Sequence, residues 1–390
     1  MAIVSMRTIV NIAGAVYDSL KTSVIFAEDM NVIKDNILDL DGRIPTVPVK
    51  ATGAELNTGT DDAKFATAKA LADSDYAKTS DIPASVGYLP ATVPDECPLL
   101  GFVKQSPDCG GTLLALTCDS THVYTAGAAG IFIRKYLKSD MSYVSVSVSY
   151  GGNVTALTCD TTHVYAGGTT TQKVSKYLKS DMSYVSQSPA YGGDINCLYA
   201  DDTYVYAGGA TTLKVRKYLK SDMSYVSETV SYGGTISAIT GDDTYIYVGG
   251  ATTLKVRKYL KSDMSYVSET VSYGGAILAL TCDSTHVYAG GASTQKVSKY
   301  LKSDMSYVSQ SIGYSADIFS LVIIGDYIYA AFSTAALIRK HLKSDMSYIS
   351  ESVAYGGTLS AFTGDDTYVY AGGATTRAVR KYKGGIYLMY

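Results

Sequence analysis

Beyond residue 112, apolar side chains come in short bursts at a spacing of two, each closed by Gly, Asp, Ser or Thr. Alternation at period two predicts strands with one face more buried than the other. In residues 235–275 the bursts predict four strands: Thr235–Thr240, Thr244–Val248, Leu254–Leu260 and Tyr266–Ser272. Gly241-Asp242-Asp243 lies between the first two and carries turn chemistry, because an Asp side chain can accept from its own downstream backbone. Gly249-Gly250-Ala251-Thr252-Thr253 is a loop, and Lys261–Ser265 turns the chain again. Residues 26–44 behave differently. Phe26, Met30, Ile33, Ile37, Leu40 and Ile44 step by 4, 3, 4, 3 and 4. That is a heptad seam under three heptads long, and Ile at both core positions favours three strands. The same stripe also fits an amphipathic helix lying on its own domain.

The strand pattern repeats. KSDMSY begins at Lys138, Lys179, Lys220, Lys261, Lys302 and Lys343, every 41 residues. A second word, D-x-T-[HY]-[VI]-Y, begins at Asp119, Asp160, Asp201, Asp242, Asp283 and Asp365, and a divergent copy, IGDYIY, fills the remaining slot at Ile324. Four short strands in each of seven such units is the arithmetic of a seven-bladed β-propeller. An early copy of the fourth strand, near Phe102–Ser106, matches the strand that the last unit lacks. Pairing the two would close the ring and remove exposed sheet edges. An open β-solenoid gives no reason for that early strand. The fold class expected is therefore mostly β: a propeller of 41-residue, four-stranded blades over 99–390, closed by an N-terminal strand and preceded by a small α-containing region. Residues 1–45 read as an attachment and oligomerisation region. Residues 46–98 read as a second segment ending in a linker that holds Pro83, Pro90, Pro94 and Pro98.

Composition narrows the function classes. The chain has 390 residues, 33 basic and 36 acidic, so no strongly basic surface for nucleic acid is expected. No run reaches the roughly 18 to 20 apolar residues of a membrane span. Arg7 and Ala13-Gly14-Ala15 loosely imitate a secretion leader, but the apolar run between them is short and holds Asn11, so no cleavage is expected. The six cysteines match no CxxC pair or compact disulfide frame, and are read as free, buried and reduced. Cys118, Cys159 and Cys282 each precede a His by four residues (His122, His163, His286), a spacing that could begin a metal site. Other units put Tyr204, Tyr245 and Tyr368 at the His position, which favours packing; no metal and no cofactor is expected.

No nucleophile elbow, phosphate loop, HExxH or dinucleotide glycine pattern occurs. The carboxylate pairs Asp201-Asp202, Asp242-Asp243 and Asp365-Asp366 recur at one place in several units, whereas catalysis needs a single asymmetric constellation. They are read as turns, and the chain as no enzyme. His341 stands where Tyr300 stands one unit earlier, a packing position.

Residues 50–78 carry Ala51, Ala54, Glu55, Leu56, Gly59, Thr60, Asp61, Asp62, Lys64, Phe65, Thr67 and Leu71 in the order A-x-x-A-E-L-x-x-G-T-D-D-x-K-F-x-T-x-x-x-L. This stretch of about 30 residues resembles a segment of tailed-bacteriophage tail fibres and related virion appendages. The resemblance implies a virion protein made in the host cytoplasm. It further implies an N-terminus bound to other virion proteins, a trimeric assembly, and a distal domain that meets the host surface. The propeller departs from the fibrous ends more usual in that family.

Blade geometry then assigns faces. If residues 99–106 form a fourth strand, the chain enters from the face of the KSDMS and DDT turns, and the Gly-Gly-Ala-Thr-Thr and Tyr-Gly-Gly loops face outward. One outward position varies between near-copied loops: Ile131, Gln172, Leu213, Leu254, Gln295, Ala336, Arg377. Variation on a constant scaffold suits recognition. The candidate ligand-binding residues are Gln172, Thr211, Thr212, Thr252, Thr253, Gln295, Thr375, Thr376 and Arg377. The expected ligand is host-surface glycan or protein; the competing expectation is a structural virion component docking on other virion proteins.

Overall fold

The computed structural model describes residues 100–128, 131–352 and 354–384. The heptad seam, the fibre-like segment, the Pro-containing linker and Cys97 lie outside the described residues.

The described chain forms seven four-stranded antiparallel sheets, the seven blades. The first blade comprises Leu113–Cys118, His122–Gly127, Arg134–Leu137 and Tyr143–Val146, hydrogen-bonded in that order. Five more blades repeat this order at 41-residue intervals. The seventh is completed by the early strand: Leu100–Gln105 pairs with Arg380–Gly384, beside Tyr368–Gly373 and Leu359–Gly364. Leu100 lies opposite Gly384 and Gln105 opposite Arg380, so the early strand does close the last blade. Leu100 therefore starts at the turn end of its sheet. First strands of neighbouring blades contact one another all the way round and make the inner ring.

The strands differ from expectation in one instructive way. The third strand of the fourth blade is Arg257–Leu260, shorter than Leu254–Leu260. Leu254 has φ of +54°, which takes it out of extended backbone. Val256 still donates its N–H at 3.0 Å to the Thr270 hydroxyl, while the Thr270 N–H donates at 3.0 Å to the Val256 carbonyl. A side chain thus replaces one rung of the ladder, and both strands end early. The predicted one-sided burial also fails there. Lys258 and Tyr259 are successive and both buried, because each blade is covered on both faces by its neighbours.

With no Trp in the chain, tyrosine is the large core residue: the twelve bulkiest fully buried side chains are all Tyr. Each phenol brings a hydroxyl that must be satisfied. In the fourth blade Tyr247 donates to Asp242 at 2.9 Å. One glycine is required by packing. A Cβ at Gly250 would sit 1.9 Å from the Thr235 carbonyl oxygen, beside the bulge between Ile236 and Ala238.

Candidate functional site

The two ends of the propeller are built differently. At the turn end, the Asp of each D-x-T word is a hub. Asp242 Oδ1 accepts the N–H groups of Thr244 and Tyr245 at 3.0 and 2.8 Å, and Oδ2 accepts the Tyr247 hydroxyl. Lys302 of the next blade adds its ammonium at 2.9 Å. The same cross-blade pair recurs as Lys138–Asp365, Lys179–Asp119, Lys220–Asp160, Lys261–Asp201 and Lys343–Asp283. Burial alone would raise the Asp242 carboxyl; the Lys302, backbone and Tyr247 donors outweigh it and hold it down to about 2. The second carboxylates, Asp202, Asp243 and Asp366, are exposed and stand apart from these hubs. The pairs read as turns are therefore one structural hub and one surface residue each.

The remaining words at this end also have structural work. The Lys of KSDMSY is the cross-blade cation, its Asp accepts a backbone N–H (Asp263 from Ser265, 2.9 Å), and its Met is buried with φ near +60° (Met264, +63°). The Cys118 thiol donates to the Gly364 carbonyl at 3.3 Å, whereas His122 Nδ1 meets the Thr121 hydroxyl at 2.7 Å. Burial pushes the Cys118 thiol up to about 11. His341 is fully buried, 3.1 Å from the Tyr314 hydroxyl through Nε2, and burial lowers its pKa to about 4.

The loop end carries the predicted ligand residues. The variable position adopts left-handed backbone wherever it is described beyond the first blade: φ is +52° at Gln172, +55° at Leu213, +53° at Gln295 and +47° at Arg377. Its carbonyl accepts the N–H of the Tyr-Gly-Gly tyrosine (Tyr191 to Gln172, 2.7 Å; Tyr232 to Leu213, 2.7 Å). That same tyrosine reaches the next blade, the Tyr191 hydroxyl donating to the Lys214 carbonyl at 2.6 Å. The variable side chain therefore sits on a backbone hub that ties two loops and two blades together. Of the candidates, Thr211, Thr252, Thr375 and Arg377 are exposed. Gln172 and Gln295 are half-buried. Thr212, Thr253 and Thr376 turn their hydroxyls inward, out of solvent. They lie against Tyr191, Tyr232 and Tyr355 and support the loop rather than face a ligand.

Sequence reasoning missed two features. One is the cross-blade ion pair. A signal existed: the interface between the sixth and seventh blades, where the described residues show no such Asp–Lys pair, has lost both halves, with Ile324 in the Asp slot and Gly384 in the Lys slot. The other is the outer edge. Phe102, Tyr143, Tyr184, Tyr225, Tyr266 and Tyr307 are all close to half exposed and form a repeated aromatic rim, with Val144, Val185, Val226, Val267 and Val308 beside them. The tyrosine copies were visible in KSDMSY, but their exposure depends on which strand ends up outermost.

No protein-family model and no curated protein sequence matches the chain. Solved structures do match in shape. The WD40 β-propeller domain of Doa1 superposes with a TM-score of 0.64 at 10% identity, over 73% of this chain and 96% of that one. The RRP9 WD40 repeats give 0.65 at 11%, over 73% and 99%. A computationally designed protein, Ika8, gives 0.58 at 12%, over 72% and 99%. At such identity the likeness is one of fold alone: with no Trp, the chain has no W-D dipeptide. In architecture it is a WD40-like seven-bladed β-propeller.

Proposed function

We propose that the chain is a non-enzymatic bacteriophage virion protein whose propeller adheres to the host cell surface, with glycan as the ligand. The observation that supports this reading is the loop end: copies of one loop, tied by the same backbone hydrogen bond, carry Gln172, Leu213, Gln295 and the exposed Arg377 at one equivalent position. Weak related sites repeated on a rigid ring gain avidity without any single strong contact. The fibre-like pattern in residues 50–78 supports the virion assignment, with residues 1–45 holding the other virion proteins and assembling the chain as a homotrimer. Recognition spread over repeated loops needs no reaction centre.

The test uses fluorescently labelled full-length protein on intact host cells, with heat-unfolded protein as control. Saturable binding that blocks infection is expected, and replacing Gln172, Gln295 and Arg377 together by Ala should abolish it without lowering the unfolding midpoint. Unchanged binding in the triple variant would remove the loop assignment. No binding by the wild type would remove the adhesin reading. A second reading, a structural component docking on other virion proteins, is favoured by the aromatic rim, since large apolar side chains exposed at the same place on six blades suit a protein interface.

A further inference from the structure

At three of the seven blade interfaces, an arginine on the third strand is satisfied from two sides. Arg257 donates Nε to Glu269 on the fourth strand at 3.0 Å and lies 5.3 Å over the Tyr232 ring of the preceding blade. Arg216 does the same with Glu228 and Tyr191, and Arg339 with Glu351 and Tyr314. Where the Arg is lost, as at Ser175 and Ser298, Gln187 and Gln310 replace the Glu. The closing blade is intermediate: Arg380 is kept over the Tyr355 ring, with Gln105 opposite it in place of the Glu.

The interface between the closing strand and the first blade departs further. Arg134 is kept, but Val146 stands opposite it where the Glu belongs, and Cys109 stands where the Tyr ring belongs. Phe132 replaces the Lys that elsewhere also serves the Glu, as Lys255 does for Glu269. Among the described residues no carboxylate makes an ion pair with Arg134. Its guanidinium touches the Tyr136 phenol and packs over Gly110. At this place lies an open cavity of about 360 Å³, lined by Pro107, Asp108, Phe132, Arg134, Tyr143 and Val146 among others. That volume is at the lower end of small-molecule sites.

We propose that this cavity is a binding site for a small ring-bearing carboxylate, the chemistry of an acidic sugar such as a uronic acid. The missing Glu sets the charge of the ligand. A carboxylate would take the place of the absent Glu on the Arg134 guanidinium, whose planar fork suits it. A ring body would lie in the cavity against the apolar faces of the partly exposed Phe132 and Tyr143. The combination occurs once among the described residues, where the outer strand of the first blade meets Pro107 and Asp108, just before the Cys109-Gly110-Gly111 copy of the Tyr-Gly-Gly loop. It stands independently of the adhesion reading.

The test is saturation-transfer NMR and calorimetry on the full chain with four probes: glucuronate, benzoate, methyl glucoside and acetate. Glucuronate is expected to bind at about millimolar strength, the order of one charged contact and one stacked ring. Benzoate binding alone would keep the ring-carboxylate chemistry and replace the sugar by an aryl acid. Methyl glucoside binding as well as glucuronate, or acetate as well as either acid, would overturn the proposal. Two variants assign the site. R134S places the residue native to Ser175 and Ser298. V146E supplies in cis the carboxylate native to Glu228, Glu269 and Glu351, so both are compatible with the blade. Each should weaken binding at least tenfold, and V146E should in addition raise the unfolding midpoint. Acid binding that survives V146E would refute the site. Failure here with intact cell adhesion would leave the loop reading in place, and the reverse result would leave this one.

Discussion

The cross-blade pair between Asp242 and Lys302 offers a quantitative test of what holds the ring together. The Asp242 carboxyl falls from 3.8 to about 2 in the fold. At 1.36 kcal/mol per unit this is about 2.4 kcal/mol of preference for the ionised form, trimmed to about 2 by its partial exposure. Because the folded value is depressed, this stability is complete above the unfolded value near 4 and is lost as pH falls towards 2. D242N removes the charge while leaving the Lys302 side chain, only 10% exposed, without its carboxylate. Stranding a buried cation adds to the loss, so D242N should cost about 3 kcal/mol near pH 7. K302M leaves Asp242 three neutral donors and should cost about 1 kcal/mol. The double variant should cost less than the sum, as the natural Ile324 and Gly384 interface suggests. The assay is urea unfolding followed by tyrosine fluorescence and far-UV circular dichroism, whose coincidence checks for one transition. With a slope of roughly 3 kcal/mol per molar, D242N should lower the midpoint by about 1 M. A D242N loss below about 0.5 kcal/mol, a K302M loss larger than that of D242N, or simple additivity would refute the reasoning.

Two further outcomes follow from buried groups. His341 titrates near 4 in the fold against 6.5 when unfolded, so the unfolded chain binds the extra proton and stability falls as pH drops from 6.5 towards 4. H341Y, which installs the phenol native to Tyr300, should flatten the unfolding temperature across that window; an unchanged slope would show that His341 is not its source. G250A sets a methyl 1.9 Å from a carbonyl oxygen and should destabilise by about 3 kcal/mol, read by the same urea assay. A neutral result would mean that the bulge at Ile236 moves at little cost.

Residues far apart in the chain were legible when they repeated. The interval from Lys138 to Lys179 counts blades, and the likeness of Phe102–Ser106 to later fourth strands identifies the closing strand, because both depend only on comparing the sequence with itself. Turn roles for Asp242 and Asp263 were equally local, since each accepts a backbone N–H two residues on. What the sequence by itself determined, then, was the unit, its number and its closure. Tertiary structure decided everything that lies between units. Lys302 meets Asp242 only because closure sets one turn against the next. Thr252 faces solvent while the adjacent Thr253 hydroxyl is buried, because a left-handed residue turns the loop there. Arg134 is a candidate site only because Val146, Cys109 and Phe132, drawn from two blades, fail together at one interface. Periodicity reports what each repeat shares, whereas a binding site arises where packing brings its departures together.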